Sequence, residues 1–121
     1  MKPLFINLSN HPSNLWSQEQ LIQAKPFGEI VDIPFPVVDE MASSDSISAL
    51  ADEYFQKIRQ LSDNTPCTVH LMGEMTFTFA LVTRLLNAGY HCIASTTRRD
   101  VVLLPDGTKQ AAFHFCRFRE Y

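Results

Sequence analysis

Apolar residues in this chain gather into runs whose spacing switches between that of a buried strand and that of an amphipathic helix. The first run, Leu4 to Leu8, is ended by Ser9-Asn10-His11-Pro12, where proline pushes the preceding residue towards extended geometry and turns the chain. Ser17-Gln18-Glu19-Gln20 has capping-box spacing, and Leu21, Ile22 and Ala24 give the apolar side of a short helix that Pro26 stops. Glu29 to Ile33 reads as a second strand, closed by Pro34-Phe35-Pro36 because proline cannot donate to a central ladder.

The longest periodic stretch follows. Ile47, Leu50, Ala51, Tyr54, Phe55, Ile58 and Leu61 recur at helical intervals behind the N-cap chemistry of Ser43 to Ser46. Asn64-Thr65-Pro66 breaks this helix, and Cys67 to Met72 reads as the third strand. The pattern then predicts a helix over Thr76 to Ala88, apolar on nearly all sides and closed by Gly89 as a left-handed C-cap. Such a helix should be covered on more than one face. Tyr90 to Ser95 reads as a fourth strand, and Val101–Leu104 with Gln110–Phe118 as a hairpin turning at Asp106-Gly107. Residues 37–46 read as the loosest segment.

This order, β-α-β-α-β-α-β-β-β with right-handed crossovers, predicts an α/β fold: a Rossmann-like three-layer domain, mostly parallel, with a C-terminal antiparallel hairpin at one edge. With 121 residues, 45% of them apolar, residues 1–121 make one domain. The opening apolar run is too short for a secretory or membrane-spanning segment, so the expected location is cytoplasmic, without a membrane partner. Cys67, Cys92 and Cys116 are odd in number, widely spaced and set in apolar runs, which reads as buried thiols rather than a disulfide framework or zinc site.

A net charge of −3 argues against affinity for duplex nucleic acid. The balance is uneven, however. Residues 1–97 carry five Lys and Arg against ten Asp and Glu, whereas the rest carries Arg98, Arg99, Lys109, Arg117 and Arg119 against Asp100, Asp106 and Glu120. A small anionic ligand could find its charge partner there; a solvated edge hairpin with outward arginines fits the same charges.

Three polar clusters follow apolar strands: Ser9-Asn10-His11, Met72-Gly73-Glu74-Met75-Thr76 and Ser95-Thr96-Thr97-Arg98-Arg99. In open α/β sheets ligands bind outside the carboxyl ends of the strands, which makes these clusters the expected site. Gly73 before a helix offers free backbone N–H groups to an anion, with Thr76 as a further donor; equally, Gly73 is a turn residue, Thr76 caps its own helix and Glu74 suits the first turn. Arg98 and Arg99, beside three hydroxyls, match phosphate oxygens, or else meet carboxylates and solvent in an ordinary connection. Being adjacent, only one of the two should face the site. His11 is a candidate for proton transfer, the work to which histidine is suited near neutrality, or is a loop residue bonded to backbone. His70, His91 and His114 lack partners at metal-ligand spacing and read as packed residues. No serine or cysteine sits in a nucleophile-elbow context, and no G-x-G-x-x-G or Walker sequence is present, so acyl transfer and ordinary dinucleotide binding are not expected.

The segments Asn7-Leu8-Ser9-Asn10-His11-Pro12, His70 to Thr76 and Ala94 to Arg99 resemble small stand-alone CRISPR-associated proteins, relatives of the domains that bind cyclic oligoadenylate, some of which are ring nucleases. The resemblance runs over most of the chain in element order. It implies a homodimer that holds a cyclic oligoadenylate, with cyclic tetra-adenylate the expected ring, across its two-fold axis. It also implies cleavage without metal or cofactor, by attack of a ribose 2′-hydroxyl on the neighbouring phosphate. Positioning and charge stabilisation would supply most of the catalysis. On this chain His11 would move the proton and Arg99 clamp the scissile phosphate, with Ser9, Asn10, Gly73, Glu74, Thr76, Ser95, Thr96 and Arg98 as ligand contacts. None of the three clusters holds a lysine, although several binders of such rings use one. A sensor or sponge that binds the ring uncleaved and acts on a partner protein is the alternative implied.

Overall fold

A computed structural model describes residues 2–121. The chain is an α/β fold with one five-stranded sheet. The strands are β1 (Leu4–Ser9), β2 (Glu29–Asp32), β3 (Cys67–Met72), β4 (His91–Leu103) and β5 (Lys109–Glu120), and the helices are α1 (Gln18–Ala24), α2 (Ser44–Leu61) and α3 (Met75–Asn87). The order across the sheet is β2-β1-β3-β4-β5, with the first four strands parallel and β5 antiparallel to β4. Chain direction across the sheet reverses after β2, so the crevice between the carboxyl ends of β1 and β3 is the topological switch point.

Alternation along the strands sends side chains to two cores. Ile6, Leu8, Val69, Leu71 and Cys92 face α2 and α3, where they meet Ile47, Ala51, Ile58, Phe77, Leu81 and Leu85. Phe5, Ile93 and Phe118 face the other way and pack with Trp16 and Ala24 from the α1 segment. Helix α2 begins where Ser43 accepts the Ser46 N–H, and α1 where Ser17 accepts that of Gln20, as the sequence predicts. Helix α3 ends in a Schellman motif: Gly89, at φ 87°, donates to the Leu86 carbonyl while Tyr90 donates to that of Leu85.

Four details differ from the sequence reading. The predicted fourth strand and first hairpin strand are one continuous strand, because no glycine or proline interrupts 92–104 and β5 pairs with it from Ile93 to Leu103. The Ser95–Arg99 cluster is therefore strand, not loop. Helix α3 is capped by Glu74, whose carboxylate accepts the Phe77 N–H at 2.8 Å, and the Thr76 hydroxyl donates to that carboxylate rather than capping the helix. Residues 37–46 are anchored, since Val38 and Ala42 pack on the α2/α3 core. Helix α3 is buried on one side only: Met75, Phe79 and Leu86 remain exposed, because the sheet and α2 lie on the same side of it.

Gly73 is explained by packing. A Cβ there would lie 2.2 Å from the Phe35 ring, which sits edge-on to Phe77 at 5.3 Å. Gly73→Ala is expected to cost about 1–3 kcal/mol by displacing that ring. Urea unfolding of the single and double variants checks this: combined with Phe35→Ala, the glycine substitution should cost far less than alone, and strict additivity of the two would contradict the packing argument.

Candidate functional site

Register places the site. Asp32 stands opposite Asn7, Asn7 opposite His70, and His70 opposite Ile93, two residues before Ser95. Since side chains alternate, Asp32, Asn7, His70 and Ser95 share one face at the carboxyl end of the sheet. The Asn7 amide donates to Asp32 Oδ1 at 2.8 Å and to the His11 carbonyl at 2.9 Å, so its oxygen is the acceptor for the Ser9 hydroxyl at 2.8 Å and for His70 Nδ1 at 2.9 Å. That fixes the tautomer: Nδ1 carries the proton and Nε2 offers its lone pair. The Ser95 hydroxyl lies 2.7 Å from Nε2 and donates to it, while accepting from Gln20 Nε2 at 3.1 Å.

His70 is only 1% exposed. Trp16, Phe118 and Phe5 surround it at ring separations of 5.2, 5.5 and 6.0 Å. Burial, helped by the nearby His11 charge, pushes its pKa down to about 4, so it is neutral at neutral pH. Burial tends to raise the Asp32 carboxyl, but hydrogen bonds from the Ser13 hydroxyl, the Asn7 amide and the Ser13 N–H outweigh it and hold that group below its ordinary value.

In front of Ser95 lies a cavity of about 570 Å³, walled by Leu15, Trp16, Met72, Phe113 and Phe115, with His11, Ser17, Gln20, His70, Ser95 and Thr97 as its polar lining. Among the described residues no carboxylate lines it. One wall is the β4–β5 ribbon: β3 pairs with β4 only as far as Ile93, so β4 beyond that level leaves the parallel sheet and carries Phe113 and Phe115 of β5 with it. A larger hollow, about 650 Å³, lies at the opposite ends of the strands around Asn64–Cys67 and Gly89–Tyr90, away from the three polar clusters.

The structure brings two of those clusters together and sets the third apart. Ser9 is buried and braces Asn7, and its hydroxyl also accepts the His11 N–H. His11 has its carbonyl in the network and is among the residues that line the cavity, whereas Asn10 is exposed and outside it. Ser95 and Thr97 line the cavity. Thr96 faces away, its hydroxyl bonded to the Arg117 backbone on both sides. Alternation puts Arg99 on the face of Ser95 and Thr97, opposite Phe113, and Arg98 on the reverse face. Both arginines are exposed, and neither has a salt bridge among the described residues. Gly73 lines a separate groove with Met72, Met75 and Phe79, and Thr76 a further one; Glu74 already occupies the α3 N-terminus. Its carboxyl is held below its ordinary value, chiefly by the Thr76 hydroxyl.

Asn7, His70, Trp16, Gln20, Phe113 and Phe115 belong to the site and were not legible as such. A polar Asn and His inside apolar runs, each on the face opposite its strand's aliphatic residues, were the signal available. The three cysteines are free, and burial pushes Cys67 up to about 11 and Cys92 up to about 12, so neither is a thiolate at neutral pH. Among the described residues no three His, Cys, Asp or Glu side chains gather as a metal site, and no helix is long and apolar enough to cross a membrane.

The depressed His70 pKa has a thermodynamic consequence. The unfolded chain binds a proton near pH 6.5 that the folded chain refuses until about 4, so this stability is complete above the unfolded value and lost as pH falls between the two. The loss should approach about 3 kcal/mol. Denaturant unfolding from pH 7 to pH 4 measures it; His70→Gln should flatten the slope in that window, and an unchanged slope would show that His70 is not the group responsible.

Comparison with known proteins gives a single kind of match. A family model described as the uncharacterized protein MJ1673 family matches residues 3–119. No curated protein and no solved structure matches the chain.

Proposed function

The chain belongs to the MJ1673 family, and we propose that it is a homodimeric, Rossmann-like binder of a cyclic oligoadenylate that opens the ring slowly without metal. The observation that carries this reading is the cavity itself: aromatic walls and, among the described residues, no carboxylate in its lining and an arginine without a salt bridge on the same face of the adjoining ribbon. Phe113 and Phe115 offer rings on which nucleobases stack, and Arg99 offers a fork for phosphate. The strand order and helices on both faces support the Rossmann-like assignment. Met75 and Phe79, 82% and 75% exposed beside the Gly73–Thr76 loop, offer an apolar face that a second copy would cover.

The chemistry asked of the protein is modest. A ring phosphate seated against Arg99 places the neighbouring 2′-hydroxyl for in-line attack: His11 takes its proton as the 2′-O–P bond forms, the P–O5′ bond breaks, water protonates the departing 5′-oxygen, and a 2′,3′-cyclic phosphate end and a 5′-hydroxyl end are left. Turnover governed by positioning is slow.

Incubation with labelled cyclic tetra-adenylate in EDTA tests the reading. Linear products with cyclic phosphate ends are expected. Arg99→Ala should weaken binding about tenfold or more, the scale of one charge-assisted contact, whereas His11→Ala should keep affinity and slow cleavage on the order of a hundredfold. A tight complex with the ring intact would make the protein a sensor or sponge, and no binding would end the nucleotide reading.

A further inference from the structure

The buried row behind the cavity wall is more than structural support. We infer that Ser95 is a nucleophile, with His70 as its base and Asn7 as the group that orients His70, giving this basin a second activity towards phosphoesters that carry no neighbouring hydroxyl of their own. The relations are those such a reaction requires: a hydroxyl 2.7 Å from the free nitrogen of a neutral imidazole, whose other nitrogen is held at 2.9 Å by a fixed acceptor. Asn7 is itself immobilised by Asp32 and by the His11 carbonyl. Unlike an ordinary buried polar pair, this one ends on a side chain that opens to a cavity.

Two donors stand where charge would develop. Gln20 Nε2 already reaches Ser95 Oγ, and the Ser95 N–H, beyond the end of the β3 ladder, donates to the Met72 thioether at 3.4 Å, a weak acceptor that a phosphoryl oxygen would displace. The aromatic walls suit a flat leaving group or a nucleobase. In the first step the Ser95 Oγ–P bond forms, the P–O bond to the leaving alcohol breaks, and the hydroxyl proton passes through His70 Nε2 to the departing oxygen. In the second, water attacks the phosphoseryl group, gives a proton to His70, and the Ser95 oxygen leaves and regains it.

The inference stands on this geometry alone and does not require a cyclic oligonucleotide. An alkyl fluorophosphonate tests it: the folded protein should gain one phosphonyl group, mapped by peptide mass spectrometry to Ser95, with loss of fluoride. Ser95→Ala should gain none there, and His70→Gln, checked for fold by circular dichroism, should label at least tenfold more slowly. The unmutated protein unfolded in urea supplies the comparison should that variant fail to fold, and its Ser95 should stay unlabelled. Ser95 unlabelled in the folded protein, or labelled equally fast after unfolding or in a folded His70→Gln variant, overturns the inference.

Discussion

A row of polar side chains crosses one face of the sheet at its carboxyl end, and its buried members, Asn7 and His70, must find partners there or be stranded. Asp32, Asn7 and His70 meet because β2, β1 and β3 align them residue against residue. An unpaired donor or acceptor at that depth would cost about 1–3 kcal/mol. A slip of one residue in β1 would send Asn7 and Ser9 into the aliphatic core and bring Ile6 and Leu8 to this face. The network thus specifies the register as much as the register creates the network.

The rest of the site is arranged around that row. Trp16 reaches it from the loop before α1, donating its indole N–H to the His11 carbonyl while its ring covers His70 edge-on. Phe5 and Phe118 complete the enclosure, and the same enclosure that keeps His70 neutral leaves one of its nitrogens to a hydroxyl at the surface. Near the carboxyl end of β3, the Tyr121 hydroxyl donates to the Leu71 carbonyl, and its N–H to that of Cys92, holding Tyr121 against β3 and β4. The β4–β5 ribbon is held by its own ladder, by Ile93, Phe115 and Phe118 packed in the second core, and by the α1 segment, where Gln23 donates to the Cys116 carbonyl.

Helices were well marked in the sequence because their signals are local. Ser17 and Ser43 cap their helices, Gly89 ends α3 in the left-handed region, and the Ile47 to Leu61 periodicity marks the buried side of α2. The ribbon was harder. Ser95 to Arg99 is polar, which reads as loop, yet a strand paired along one edge, with Thr97, Arg98 and Arg99 exposed, tolerates such residues, and its partner is the distant stretch Phe113 to Phe118. Glu74 misled in a similar way: its own carboxylate takes the helix N-terminus that seemed open to a ligand.

Local signals sufficed for the α/β class, the helices, the single hairpin and the polar residues at the end of β1, since each follows from spacing, caps and turn residues close along the chain. Only the tertiary structure decided that His70 joins Asn7 and Ser95, that Arg99 and not Arg98 shares their face, and that the Gly73 loop stands aside. Those outcomes depend on strand order, register and the direction of alternation, which arise when distant segments pair.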